Sequence, residues 1–312
     1  MIDLPALRVL DESQTVMLLG AGGGYDILGA VPLFVALRGQ GKTVHLGGVS
    51  FTSLAKLPRC SPEPGHSCLF AISADSATEA AYCPEAWLAL WLRTTQAYEE
   101  PLWGISKTGV MPLRAALHYL ADRLQNDTFV LVDGGVDLVL KGNETSIGTP
   151  AEDLASLQAV RGLEGFRRLI MCLGFGAELR EGIPHAQVLE RFAELQRAGA
   201  FLGATSLVSD SPVGRAYSEA LAFIQKGQRA QRGTHIHRVV LAAMAGDFGP
   251  DGPDTWISPL ASLCWFFSLP EVAESHLFAA QLEDTETIWD VTVAVRACRK
   301  DLRVRPRTEI PL

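Results

Sequence analysis

Short apolar runs that end at glycine or aspartate recur along the first two thirds of the chain. Residues 15–19 have the sequence TVMLL and are followed by Gly20, and residues 128–132 have the sequence TFVLV and are followed by Asp133. Continuous apolar runs of this length are typical of strands that are buried on both faces of a parallel sheet. We predict further strands over residues 42–49, 168–173 and 201–206.

Segments with apolar residues at helical spacing separate these runs. They predict helices over residues 26–38, 85–98 and 185–198, a helix with Pro112 in its first turn, and mostly helical structure from residue 211 onward. This alternation predicts a doubly wound, Rossmann-like α/β fold with a mostly parallel sheet and a helical C-terminal portion. No linker or internal repeat divides the 312 residues, so we expect a single α/β domain with a core at 15–210, the helical portion at 211–303 and a tail at 304–312.

Composition and charge narrow the class of protein. The chain is 48% hydrophobic and 20% charged, which excludes a disordered protein, and its net charge of −8 has the wrong sign for a nucleic-acid partner. No apolar run approaches the roughly 18 residues that cross a bilayer, so we expect no membrane partner. Because residues 1–14 lack the basic start and apolar core of a signal peptide, we expect a cytoplasmic location.

Six cysteines are spread along the chain, and none forms a C-x-x-C pair. We expect reduced, mostly buried thiols in a reducing compartment. The alternative is a metal site formed by Cys60, His66, Cys68 and Cys83, although their spacing matches no regular zinc motif.

A glycine cluster follows the first predicted strand and precedes a predicted helix. Gly22, Gly23 and Gly24 would let a ligand approach the backbone closely, and the helix that starts at Asp26 would offer free N–H groups to an anion. The dinucleotide fingerprint G-x-G-x-x-G is not met because Tyr25 stands at its third glycine. The cluster predicts a phosphate or carboxylate site. The alternative is a tight turn in which Asp26 only caps the helix.

Acidic residues cluster after the second buried run. Asp133 ends that run, and Asp137 and Glu144 follow among glycines. Ligands meet an open α/β sheet at the carboxyl ends of its strands. Carboxylates gathered there repel one another unless a divalent cation (Mg²⁺ or Mn²⁺), a cationic substrate group or a shared proton relieves the repulsion. The alternative is an ordinary turn, followed by a helix that Thr149 caps.

Histidines provide further candidates for chemistry. His185 stands at the start of a predicted helix, after a strand end that carries Gly174 and Gly176. It is either a base or ligand of the site, or a solvated residue at a helix start. His235 and His237 are two positions apart, so on a helix they would not share a face, and joint metal binding would require an extended segment.

These features predict an enzyme that binds a small anionic metabolite, such as a nucleotide or phosphorylated compound, at the carboxyl ends of the strands. A metal-assisted hydrolase or transferase is the most natural class. We expect catalysis by Asp133, Asp137 and His185, with Asp133 and Asp137 as metal ligands, and ligand contacts from Gly22, Gly23, Gly24, Asp26, Gly134, Gly135, Glu144, Gly174 and Gly176. The alternatives are a non-catalytic ligand-binding or scaffold protein using the same cleft, and a homo-oligomer with residues 265–267 at its interface.

Several segments, in the expected order, resemble DUF1152, a family of uncharacterised bacterial and archaeal proteins. The segments are GGGYDILGAVP at 22–32, VDGGVD at 132–137, GNE at 142–144 with GTP at 148–150, GFG at 174–176, and WISPL at 256–260 with WFF at 265–267. Because no activity is established for the family, the resemblance implies no reaction.

The chain departs from the pattern of that family at several polar positions. Members often carry hydroxyl residues where this chain has Val136 and Leu138, an aspartate where it has Asn143, and a polar, histidine-containing loop at residues 177–184. If those groups bind a metal or substrate, the departures imply altered specificity or reduced activity. The residues that still fit the pattern are Asp26, Asp133, Asp137, Glu144 and His185.

Overall fold

A nine-stranded mixed sheet forms the centre of the computed structural model, which describes residues 4–79, 82–228, 235–252 and 254–308. Its strands are β1 (Thr15–Gly20), β2 (Thr43–Ser50), β3 (Pro62–Glu63), β4 (His66–Ile72), β5 (Leu102–Ser106), β6 (Thr128–Asp133), β7 (Arg167–Cys172), β8 (Phe201–Ser206) and β11 (Leu263–Ser268). Two short strands, β9 (Gly249–Pro250) and β10 (Trp256–Ile257), pair with each other outside this sheet.

The strand order places a change of winding direction at the middle of the sheet. The order is β3-β4-β5-β2-β1-β6-β7-β11-β8, and β5, β2, β1, β6 and β7 are mutually parallel. The chain proceeds from β1 outward through β2 and β5 on one side, and through β6 and β7 on the other. The carboxyl ends of β1 and β6 therefore meet at the point where a crevice opens in sheets of this kind.

Helices cover both faces of the sheet. One face carries α1 (Pro5–Glu12), α2 (Asp26–Gly29), α3 (Val31–Gly39), α4 (Pro84–Thr95), α8 (Pro212–Gly227) and α9 (His235–Ala245). The other carries α5 (Val110–Leu124), α6 (Pro150–Arg161), α7 (His185–Arg197), α10 (Leu269–Ser275) and α11 (Ile288–Asp301). In the described part of the chain, no helix has both the length and the apolar composition needed to cross a membrane.

The two hydrophobic cores explain the uninterrupted apolar runs. Side chains alternate along a strand, so Val16 and Leu18 pack into the core beneath α2 and α3, while Met17 and Leu19 pack into the opposite one. All four are at most 2% exposed. The five predicted strands are confirmed to within about a residue at each end.

Two sequence predictions need correction. The helix predicted over residues 26–38 is divided into α2 and α3, because Pro32 has no N–H group to donate to the carbonyl of Leu28. The C-terminal portion is not purely helical, since residues 263–268 form β11, which inserts between β7 and β8 and runs antiparallel to both. Residues 265–267, which the sequence places at a possible oligomer interface, lie in this strand.

Candidate functional site: a buried carboxylate cluster

The glycine turn after β1 positions Asp26 at the start of α2. Gly23 and Gly24 adopt φ angles of +92° and +63°, which are unfavourable for residues that carry a Cβ atom. A Cβ atom at Gly23 would also lie 2.6 Å from the ring of Phe51. The turn brings the Gly22 N–H to 2.7 Å from Oδ2 of Asp26. The amides of Gly23 and Gly134 also bind this carboxylate.

These hydrogen bonds change the role expected for the glycine cluster. We predicted that its free N–H groups would hold an anionic ligand, but the amide of Gly22 binds the chain's own carboxylate instead. Asp26 is the first residue of α2 rather than its N-cap, and the helix has only four residues. The turn therefore holds a carboxylate in place at the carboxyl end of β1.

Asp133 occupies the corresponding position at the end of β6. Its Oδ2 accepts a hydrogen bond from the Leu138 N–H at 3.2 Å and lies 3.8 Å from the Cys172 sulfur, which is at the end of β7. Asp133 is only 3% exposed. The adjacent parallel strands β1 and β6 thus bring two carboxylates together, as the sequence predicts for residues at strand ends.

A third carboxylate, which the sequence analysis missed, completes this group. Asp153 lies in the first turn of α6 and is 4% exposed, and the described residues donate no hydrogen bond to its carboxylate. One carboxylate oxygen each from Asp26, Asp133 and Asp153 lies within 4.8 Å of the others. An acidic residue in a first helical turn usually only favours the helix dipole, so its position in the sequence gave no signal of a shared site.

Two further carboxyls, those of Asp137 and Glu178, lie close to this group. Glu178 accepts a hydrogen bond from the Val136 N–H at 2.6 Å, and its carboxyl is hydrogen-bonded to that of Asp137. Asp137 also accepts a hydrogen bond from the Thr149 N–H at 3.3 Å. Thr149 stands at the N-cap of α6, but its side chain makes no capping hydrogen bond, contrary to our expectation. The sequence analysis also missed Glu178, because it lies in a loop after β7.

Several glycines leave room for these carboxylates. A Cβ atom at Gly22, Gly134, Gly135 or Gly148 would lie within 2.8 Å of a carboxylate atom of Asp153, Asp26, Glu178 or Asp137, respectively. Gly134 and Gly135, which we expected to contact a ligand, therefore allow side chains of the acidic cluster to approach the backbone. The acidic cluster, as the term is used below, comprises Asp26, Asp133, Asp137, Asp153 and Glu178.

Burial and mutual repulsion make ionisation of the acidic cluster unfavourable. Burial is the largest cause of the raised pKa of each member, and neighbouring carboxylates add to it. The pKa of Asp26 is raised to about 7, and those of Asp133 and Asp153 are raised well above their usual range. Within the described ranges, no lysine or arginine pairs with the cluster. Protons or a bound cation must therefore balance its charge.

A pocket of about 260 Å³ opens beside the acidic cluster. Asp26 and Gly134 of the site line this pocket. Its other lining residues include Tyr25, Phe51, Tyr82, His235 and His237. Tyr25 and Tyr82 meet edge to face, with ring centroids 5.8 Å apart. The pocket suits a small molecule with a planar or apolar part, whose other end reaches Asp26.

The structure does not bring Glu144 into the acidic cluster. Glu144 is fully buried and accepts hydrogen bonds from the amides of Lys141 and Gly142, at 3.0 and 2.8 Å. It also forms an ion pair with Arg305 at 3.2 Å. These contacts tie the loop after β6 to the C-terminal segment, so Glu144 has a local structural role.

His185 also lies apart from the acidic cluster. It is the first residue of α7, and its ring packs against Phe175, with centroids 5.2 Å apart. Its Nε2 approaches Gly176, and burial lowers its pKa. Gly174 and Gly176, with φ angles of +84° and +91°, turn the chain after β7 toward Glu178 rather than toward the pocket. No hydrogen bond between described residues links His185 to the five carboxyls.

The remaining candidate metal ligands do not form a site together. His235 and His237 both lie in α9, where they bond to the carbonyls of Ala177 and Tyr25, at 3.0 and 2.8 Å. The six cysteines are free. Within the ranges that the structure describes, the three carboxylates of Asp26, Asp133 and Asp153 are the one set of metal-ligating side chains with suitable spacing.

The positions that depart from the DUF1152 pattern serve the acidic cluster through their backbones. The side chains of Val136 and Leu138 are each 1% exposed and pack in the core, while their N–H groups bind Glu178 and Asp133. The side-chain oxygen of Asn143 is buried without a hydrogen-bond partner. A hydroxyl group at 136 or 138 is therefore not required to hold the carboxylates in place.

The fold and site define a class of protein: an α/β protein with a carboxylate cluster at the carboxyl ends of its central parallel strands. The model of a family described as "Protein of unknown function (DUF1152)" matches residues 17–300. The chain therefore belongs to DUF1152. No curated protein and no solved structure gave a match.

Proposed function

We propose that this DUF1152 protein is a metal-assisted hydrolase or transferase that acts on a small anionic metabolite, a nucleotide or another phosphorylated compound. It would use a Rossmann-like arrangement, with the reaction at the carboxyl ends of β1 and β6. The observation that carries this proposal is the spacing of Asp26, Asp133 and Asp153, whose oxygens lie within 4.8 Å of one another. No basic side chain of the described residues pairs with them.

The donor set fits a hard divalent cation such as Mg²⁺ or Mn²⁺, which prefers carboxylate oxygens. Backbone amides hold the carboxylates of Asp26, at the start of α2, and Asp133, at the end of β6. The Asp153 carboxylate accepts no hydrogen bond from the described residues and is free to bind a cation. The sequence analysis assigned the metal to Asp133 and Asp137. The geometry favours Asp26 and Asp153 as the partners of Asp133.

The same electrostatics define how an anionic substrate would bind. Ionised carboxylates repel a phosphate, and the amides of the glycine turn are used by Asp26. A phosphate would therefore meet the site through the cation, which would polarise it and supply an activated water molecule. The rest of the substrate would lie in the pocket against Tyr25, Phe51 and Tyr82.

Proton transfer is assigned to the hydrogen-bonded pair of Asp137 and Glu178. Burial raises the pKa of both carboxyls, and a proton shared between them would relieve their repulsion. A carboxyl pair that shares a proton beside a cation can act as general acid and base. A catalytic role for His185 stays a prediction that has no geometric support in the cluster.

Calorimetric titration with Mn²⁺ and Mg²⁺ tests the proposal. We expect saturable binding to the wild-type protein and a loss of more than about tenfold in affinity for Asp153→Asn, because a direct ligand matters at least as much as an outer-shell partner. Asp122→Asn, the same change at an exposed position of α5, is the matched control. Absence of binding to the wild-type protein at millimolar cation would show that the proposal is wrong.

A non-catalytic ligand-binding or scaffold protein is the second candidate. The position of His185 outside the cluster favours it, since the cluster then lacks the histidine that we expected to transfer protons. Mononucleotides and sugar phosphates, incubated with Mg²⁺ and assayed for released phosphate, separate the two candidates. An enzyme loses turnover in Asp133→Asn, whereas a binding protein shows no turnover in either form and retains its ligand.

We further propose a cytoplasmic location, which the six free cysteines support. A homo-oligomer stays a prediction. Of residues 265–267, Phe266 and Phe267 are at most 2% exposed and pack on opposite faces of β11, which leaves the half-buried Trp265 as the candidate for such an interface.

A further inference from the structure

A buried hydrogen-bonded pair connects two C-terminal helices to the residue before Asp26. His237 of α9 is 1% exposed, and its Nε2 lies 2.8 Å from the carbonyl oxygen of Tyr25. Its Nδ1 lies 2.6 Å from the hydroxyl of Tyr217 in α8, which is fully buried. The Tyr25 carbonyl also accepts the first hydrogen bond of α2, from the Leu28 N–H at 2.9 Å.

These contacts define where the protons lie. A carbonyl only accepts hydrogen bonds, so Nε2 of His237 must carry a proton and donate it to Tyr25. Burial lowers the pKa of His237 to about 4, and the neutral ring then has an unprotonated Nδ1. The hydroxyl of Tyr217 donates to that nitrogen. The tyrosine therefore selects the ring tautomer that can hold the Tyr25 carbonyl.

We propose that His237 and Tyr217 are positioning residues that fix the first turn of α2 and thereby hold the Asp26 carboxylate in the geometry that binds the cation. This inference rests on the proposed function, since it concerns the same cation. The segment around Asp26 needs such a support because little of its own structure fixes it. Asp26 stands between a turn containing three glycines and a four-residue helix that has no side-chain cap.

The pair also joins the cation site to the wall of the pocket. His237 lines the pocket together with Asp26, and α9 supplies His235 to the same wall. A shift of α9 relative to α2 would change both the pocket and the carboxylate. Substrate contacts with α9 would therefore act on Asp26 through the Tyr25 carbonyl, although neither histidine binds the cation.

Three substitutions test this inference by Mn²⁺ titration. His237→Leu removes the donor and is expected to weaken Mn²⁺ binding by up to about tenfold, the smallest effect typical of groups bonded directly to metal ligands, because His237 holds the backbone beside Asp26. His237→Gln places an amide N–H near the position of Nε2 and is expected to restore most of the affinity. Tyr217→Phe removes the hydroxyl that donates to Nδ1 of His237, leaves the Nε2 donor in place and is expected to weaken Mn²⁺ binding less than His237→Leu does. Tyr98→Phe is its matched control, because the Tyr98 hydroxyl is also buried but has no partner.

A metal-free measurement separates failure of this inference from failure of the proposed function. In the metal-free protein, ¹⁵N NMR should show a protonated Nε2 and an unprotonated Nδ1 in His237, and hydrogen exchange of the Gly22 amide should accelerate in His237→Leu. If wild-type protein binds no Mn²⁺ but the NMR results hold, the metal function fails and the support of Asp26 stands. The inference is overturned if His237→Leu matches wild type in Gly22 exchange, or if His237→Gln loses as much Mn²⁺ affinity as His237→Leu.

Discussion

Replacing Asp26 by asparagine removes one negative charge from the acidic cluster and keeps a side chain of nearly the same shape. In the metal-free protein we expect Asp26→Asn to raise the free energy of unfolding at about pH 8, because burial and Asp137 oppose ionisation of the native side chain. With excess Mg²⁺ we expect the opposite order. Only the wild-type protein then gains the full binding free energy of the cation, about 2.7 kcal/mol at a hundredfold excess over Kd.

The pKa of Asp26 sets the size of this effect. It rises from 3.8 to about 7 in the folded protein. Between these values the folded protein retains a proton that the unfolded chain has released, so stability falls as the pH rises through this window and levels off above about pH 7. The difference corresponds to at most about 4 kcal/mol, at about 1.4 kcal/mol per pKa unit. A weaker hydrogen bond from the Gly22 N–H offsets about 1 to 2 kcal/mol, which leaves a net gain of at most about 2 to 3 kcal/mol.

Urea unfolding measures the free energy of unfolding of wild type and Asp26→Asn, in EDTA and in excess Mg²⁺, at about pH 5 and about pH 8. Asp122→Asn, at an exposed position, controls for the general effect of losing one negative charge. The raised pKa of Asp26 is contradicted if wild-type stability in EDTA does not fall between the two pH values and Asp26→Asn is less stable than wild type at the higher pH.

Two further predictions concern residues around the cluster. Gly148→Ala should lower the unfolding free energy by about 1 to 3 kcal/mol in thermal or urea unfolding, because Gly148 has a φ of +60° and the added Cβ atom would overlap the Asp137 carboxylate. An unchanged stability would contradict the position of Asp137 described above. Glu144→Gln should lower the unfolding free energy by about 1 to 3 kcal/mol, because it weakens the hydrogen bonds to two backbone amides and the ion pair with Arg305. Its Mn²⁺ affinity should stay within about twofold of wild type, and a large loss of affinity in calorimetry would indicate that Glu144 belongs to the cation site.

The sequence predicted those parts of the site that depend on strand ends. Strands β1 and β6 were evident as apolar runs, and an acidic residue directly after or at the end of such a strand must lie at the carboxyl edge of the sheet. Asp26 was predicted from the glycine cluster before it, and Asp133 and Asp137 from this strand-end argument. It needed only the parallel order of the central strands, which helices between the runs imply.

The parts that were missed depend on how loops and helices fold back over that edge. Asp153 reaches the cluster only because α6 starts above β1 and β6, and its position in a first helical turn has an ordinary explanation. Glu178 reaches it through the turn after β7. After the same turn, the His185 ring packs against Phe175, and its catalytic role stays a prediction. Strand β11 was missed because one short aromatic run does not distinguish a sheet strand from core packing.

In the proposed site, Asp26, Asp133 and Asp153 hold a divalent cation in place of protons. The most direct test is calorimetric titration of Mn²⁺ into the metal-free protein at about pH 7, in two buffers of different ionisation enthalpy. We expect saturable binding that releases protons and is lost in Asp153→Asn. Absence of binding, or binding that releases no protons and persists in Asp153→Asn, would contradict it.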